Sequence, residues 1–203
     1  AIFAYLFRKI SFNIMMLALT ILILFDLIDV QNRYQKQYTD LKKIERQYFQ
    51  KTPTDDFLLA DKEIFRVFPV GQSFSDNRWA YYHQTIGGYS AIKMYTIEEM
   101  IGNNLYKGWD KNFPVNFNVL KILNVKYLIS SQKISHNKIE LVKEDTKRNQ
   151  FIYLYKERLP RGFLIGEIKV IKDEYERLRE INKKDFNPSQ TAILEEPLNQ
   201  EIE

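Results

Sequence analysis

Residues 79–95 read WAYYHQTIGGYSAIKMY, the stretch of this chain richest in side chains suited to chemistry. His83 offers a ring that can carry a proton near neutral pH. Tyr82 and Tyr89 combine an apolar face with a hydroxyl, and Lys93 supplies a cation. Gly87 and Gly88 are two of only seven glycines in 203 residues. Side by side, they let the backbone turn sharply or come close to another group. Two readings of the pair stay open, a hairpin turn between AYY and YSAIKMY or a loop lying against a ligand or another domain. His83 likewise reads as a hydrogen-bonding group facing a ligand or as a structural histidine bonded to backbone. With no carboxylate nearby in the motif, the structural reading is favoured. Tyr82, His83, Gly87, Gly88, Tyr89 and Lys93 are the candidates for ligand or domain contact.

Elsewhere the chemistry is sparse. The chain has no cysteine and two histidines, which excludes disulfides, thiolate metal sites and a Cys nucleophile and argues against zinc. No nucleophile elbow, P-loop, zincin motif or dinucleotide fingerprint occurs. No catalytic residue, metal ligand or cofactor is therefore assigned. His136 lies in the polar run SQKISHNK and is expected to be solvated. Asp55, Asp56 and Asp61 have the type for acid–base work, but TPTDD fits a helix start, with Pro53 setting the turn and the acids favouring the N-terminus. The net charge of +4 is spread over the chain without a basic run, so nucleic acid is not an expected partner.

The elements that must position these residues begin with an uncharged run, ISFNIMMLALTILILF, from Ile10 to Phe25. With Leu27, Ile28 and Val30 it reaches the roughly 20 residues needed to cross a bilayer. Arg8 and Lys9 precede it and Asp26 and Asp29 close it; all four are assigned to the membrane interface. The basic pair before the span places the start inside and the remainder outside. Residues 1–30 thus read as a transmembrane helix and 31–50 as an amphipathic helical connector, with Tyr34, Tyr38, Leu41, Ile44 and Tyr48 recurring at three and four. Residues 51–203 read as a mixed α/β, or α+β, domain. Its strands are expected at 64–68, 125–130, 139–142, 151–155, 162–171 and from 191. Its helices are expected at 95–101, with Thr96 and Glu99 as a capping box and Gly102 at the end, at 117–123 with Asn124 as a left-handed exit, and at 173–182 with Tyr175, Leu178 and Ile181 inward. Phe151, Tyr153 and Tyr155 should share one face of their strand, and Ile152 and Leu154 the other.

Several stretches, in order, resemble the YfhO-like family of bacterial membrane proteins: DLIDVQNRY, FQKTPTDDFLLADKEIFRV, SDNRWAYYHQTIGGYSAIKMYTIEEMI, FNVLKILNVKYLIS and LPRGFLI. Tyr82, His83, Gly87, Gly88, Tyr89 and Lys93 match the most distinctive of these. Ser90, Ile92 and Tyr95 depart from it, where the family pattern has His, a small residue and a basic residue. The Lys-, Asn- and Ile-rich composition looks like that of a Bacteroidetes member. The resemblance implies a polytopic glycosyltransferase of the GT-C type in the bacterial inner (cytoplasmic) membrane. Such an enzyme takes sugar from a polyprenyl-phosphate donor to a cell-envelope acceptor, with its catalytic acids in earlier loops. This chain would then hold one late span and a periplasmic, extracytoplasmic C-terminal domain, cut at both ends. The bilayer is the expected partner, together with a polyprenyl-phosphate sugar or glycan acceptor. Two function classes follow: an accessory module of the transferase, or a non-catalytic periplasmic binding or structural module.

Overall fold

The computed structural model describes residues 11–35, 39–72, 74, 76–90 and 92–198. Arg8, Lys9 and Tyr38 lie outside the described residues. The chain divides into two compact units, 1–50 and 51–203.

In the first unit, helix α1 spans Phe12–Gln35. Its 24 residues would reach about 36 Å at 1.5 Å per residue, against about 30 Å of bilayer hydrocarbon. The stretch Phe12–Arg33 is apolar enough to cross a membrane and 6 % of it is buried. The side chains of Leu22, Ile23 and Phe25 are all exposed. The helix runs past the expected boundary at residue 30. Asp29 stays within it and pairs with Arg33 one turn on, at 2.6 Å. Helix α2, Leu41–Tyr48, starts where the Asp40 side chain accepts the Lys42 N–H. None of its residues is buried, and Leu41 and Tyr48 face solvent.

The second unit is α+β. Its elements in chain order are α3 (Pro53–Ala60), β1 (Arg66–Pro69), α4 (Arg78–Tyr82), α5 (Tyr95–Met100), α6 (Phe117–Ile122), β2 (Val125–Ser130), β3 (Ile139–Asp145), β4 (Gln150–Tyr155), β5 (Glu167–Val170), α7 (Glu174–Ile181) and β6 (Thr191–Leu194). Four strands form a mixed sheet in the order β1-β2-β4-β3, and β5 and β6 form a separate parallel pair. β1 runs parallel to β2, so the chain crosses over through α4, α5 and α6. β4 is antiparallel to both of its neighbours.

Strand alternation divides the core between the two faces of the sheet. Phe68, Leu128, Phe151, Tyr153 and Tyr155 pack on one face with Leu105, Val119 and Leu120 from the crossover. Val67, Tyr127, Ile129 and Ile152 pack on the other with Leu58 of α3 and Trp79 of α4. The expected split along FIYLY is thus observed. Each fully buried aliphatic contributes about 1.5–3 kcal/mol relative to exposure, so a sheet covered on both sides is the dominant stabilising element. Asn124 takes the left-handed exit after α6, at φ +57°.

Four expectations need correction. Thr96 and Glu99 form no capping box: α5 begins one residue earlier, and the residue preceding it, Met94, has no capping side chain. Gly102 does not end that helix, which continues as a π-turn over Ile101–Leu105. The wider turn brings in Asn104, whose amide donates to Leu178 O (2.6 Å) and Asn182 Oδ1 (2.9 Å) and ties the turn to α7. The long strand expected over 162–171 shrinks to Glu167–Val170, because β6 reaches only that far. Tyr175 is exposed, while Leu178 and Ile181 pack inward as expected.

Candidate functional site

The aromatic stretch is built around one buried carboxylate. Thr52, Pro53 and Asp55 start α3 as a reciprocal capping box: Thr52 Oγ1 accepts the Asp55 N–H, and Asp55 accepts the Thr52 N–H. The local signal TPTDD gives this cap. What local sequence could not give is the rest of the carboxylate's surroundings. Asp55 Oδ1 accepts from Arg78 Nη1 at 3.0 Å and from His83 Nε2 at 2.9 Å. Asp55 Oδ2 accepts from Thr52 N and Thr52 Oγ1, each at 2.7 Å, and meets Arg78 Nη2 as well. The Asp55 side chain is 0 % exposed and that of His83 is 4 % exposed. Burial by itself would push the Asp55 carboxyl up. The hydrogen bonds from His83, Arg78 and Thr52 outweigh it and hold the group well below the usual carboxylate range.

This corrects the reading of His83 as bonded to backbone. Its ring is bonded to a carboxylate that lies 28 residues earlier in the chain. His83 is structural, but as a hydrogen-bond partner of a buried side chain. The Arg78 guanidinium also lies over the Trp79 ring at 5.0 Å and the Tyr82 ring at 5.7 Å. Trp79 in turn fills the core against the sheet. Asp55 therefore fastens α4 to α3.

Beyond α4 the chain does not form the hairpin that Gly87-Gly88 suggested. AYY belongs to a helix, and residues 84–86 form a single parallel bridge with Val67 of β1. Val67 N donates to Gln84 O (2.8 Å) and Ile86 N donates to Val67 O (3.2 Å). This pairs the edge strand at Val67. The Gly87 N–H donates to Thr85 Oγ1 at 3.1 Å. Gly88 takes φ +108°, and a Cβ there would lie 3.1 Å from Asn77 Oδ1. That same oxygen accepts the Tyr89 N–H at 2.5 Å. Gly88 thus lets the loop pass close over the start of α4. It then leaves Tyr89, Ile92, Met94 and Tyr95 exposed, Ile92 at 90 %. Lys93 stands over the Phe74 ring at 5.6 Å, with Glu98 at 4.0 Å. The six candidate residues therefore divide. His83 and Gly88 hold the loop in place, Gly87 bonds Thr85 within it, Tyr82 packs against Arg78, and Tyr89 and Lys93 lie on the outer side.

The other acids are also engaged. Asp56 pairs with Lys51 at the surface, at 2.6 Å. Asp61 ends α3 and accepts from Lys126 Nζ (2.5 Å) and Tyr127 OH (2.9 Å). Burial raises the Asp61 carboxyl, and these bonds more than reverse it. His136 is not solvated as expected: its side chain is 10 % exposed and stacks on Phe117 at 4.6 Å. Among the described residues, no group of three or more His, Cys, Asp or Glu could hold a metal ion. Compared with protein-family models, with curated proteins and with solved structures, the chain finds no match in any of the three.

Proposed function

We propose that residues 51–203 are the non-catalytic, extracytoplasmic accessory module of a YfhO-like membrane glycosyltransferase. In this reading α1 is one of its late spans, and the module presents the loop at 83–97 to the membrane-embedded core and its acceptor. One observation carries the reading. Asp55 and His83 have the types needed for acid–base catalysis, yet every lone-pair position of the carboxylate is occupied and both side chains are buried. The cluster holds the loop, and what the loop displays is apolar and aromatic: Tyr89, Ile92, Met94 and Tyr95. An exposed set of this kind suits contact with a partner.

The outward orientation in this reading rests on the family resemblance. The flanking charges do not set it: Arg8 and Lys9 precede the span, and Lys36, Lys42, Lys43 and Arg46 follow it.

The decisive experiment uses the full-length protein with a polyprenyl-phosphate sugar donor. Tyr89→Ala combined with Lys93→Ala should lower transfer several-fold while leaving the melting temperature within about a degree, because neither side chain is in the core. Undiminished transfer by a protein lacking residues 51–203 would leave the accessory reading without support and favour a separate structural or binding module.

A further inference from the structure

A second surface, sharing no residue with the aromatic loop, has the composition of a ligand site. It is a cleft of about 480 Å³ between the loop after the π-turn, the start of α6 and the segment before β3. That volume falls within the range of small-molecule sites, about 300–1,000 Å³. Its wall combines one large exposed ring, Trp109, with Asp110, Asn118, His136, Lys138 and Lys184.

Trp109 is 62 % exposed, and the backbone around it is held firmly. Gly108 N donates to Pro114 O at 2.8 Å, and a Cβ on Gly108 would sit 2.2 Å from Val115 O. Only glycine permits that approach. Asp110 Oδ1 accepts the Asn112 N–H at 2.8 Å, which closes the turn and leaves Oδ2 directed at His136. The His136 ring is fixed from both sides. It stacks on Phe117, and its Nδ1 accepts the Lys138 N–H at 3.1 Å. With Nδ1 so used, the neutral ring carries its proton on Nε2. Nε2 and Asp110 Oδ2 are 3.6 Å apart, beyond a good direct hydrogen bond. One donor and one acceptor thus stand side by side in the cleft that the exposed Trp109 also lines.

We propose that this cleft binds a pyranose unit of a glycan, its apolar C–H face on Trp109 and a ring hydroxyl bridging His136 and Asp110. A hydroxyl donates and accepts at once, so it satisfies both groups where a carboxylate or phosphate would be repelled by Asp110. Lys138 is already paired with Glu157 at 3.0 Å, which lowers the pull on a free anion. The ring of a sugar carries enough C–H surface for an aromatic platform.

The chain offers a selective readout. It has two tryptophans, Trp79 at 4 % and Trp109 at 62 % exposure. Ligand at the cleft should therefore change only the exposed component of the emission. The full chain, held in a detergent without a sugar headgroup, is titrated with trisaccharides of glucose, mannose, galactose and N-acetylglucosamine. Inorganic phosphate and a short acidic peptide serve as controls. The expected result is a saturable blue shift with at least one trisaccharide and none with either control. By calorimetry, Trp109→Ala should weaken that binding at least about tenfold and Trp109→Phe should largely keep it. Asp110→Asn, which keeps an oxygen acceptor for the Asn112 N–H, should weaken it with little change in melting temperature. No response to any trisaccharide, or a response that phosphate reproduces, would overturn the proposal.

Discussion

At the scale of single residues, Asp55 decides whether the aromatic loop has a fixed position. A buried carboxylate that loses its charge leaves Arg78 facing a neutral partner, and breaking such a pair costs about 3–5 kcal/mol. Asp55→Asn should therefore lower the unfolding free energy of the second unit by about 3 kcal/mol at neutral pH. The pH dependence has a definite sign. The folded pKa of Asp55 lies below that of an unfolded Asp, about 3.9. Its contribution is complete above pH ~4 and is lost as the pH falls towards the folded value. Denaturant titrations should show the gap between native protein and D55N narrowing below pH ~4. A gap of constant size would mean that packing, not charge, accounts for the loss.

At the scale of elements, stability should be uneven. β2 and β4 lie at the centre of a sheet with both faces covered, and most of their residues are buried. β5 is exposed along its length and pairs only with β6. A two-stranded pair is marginal by itself. Amides of β5 and β6 should exchange at least about tenfold faster than those of β2 and β4. Equal protection across both sheets would mean that the pair unfolds only with the whole unit. The contrast also explains what the sequence disclosed. VKYLIS and FIYLY are short, bounded, alternating runs whose apolar faces are both buried, so pattern and packing agree. In GFLIGEIKVI the same pattern extends past the strand, because the limit is set by how far β6 reaches. At α5, Thr96 has the right type and spacing for a cap, but the helix begins one residue before it and the π-turn follows to seat Asn104. The candidate site was legible only in part. TPTDD marked the cap, whereas Gly-Gly suggested a hairpin that does not form, and the bonds from Arg78 and His83 to Asp55 cross between elements far apart in the chain, so no local spacing encodes them.

At the scale of the whole molecule, α1 has the length and apolarity of a span, and 51–203 carries its own core. An alkaline phosphatase fused after Tyr34 should be active if the second unit lies outside the cytoplasm, as the accessory reading requires. Activity of a β-galactosidase fusion at that point, with the phosphatase silent, would reverse the orientation. The sheet also sets an order of events. β1 finds its ladder partner only at β2, with Arg66 opposite Val125 and the whole crossover between them. Thr54, beside the buried carboxylate, bonds Gln150 at the start of β4. Contacts this distant in sequence close late and slow the folding of the units that depend on them. A chain delivered from its N-terminal end therefore cannot lock the aromatic loop until β4 has emerged. Over that interval Leu58, Val67 and Trp79, which pack against Tyr127, Ile129 and Ile152 in the finished fold, stay uncovered, and a chain stopped short of residue 155 should be degraded faster than the full chain.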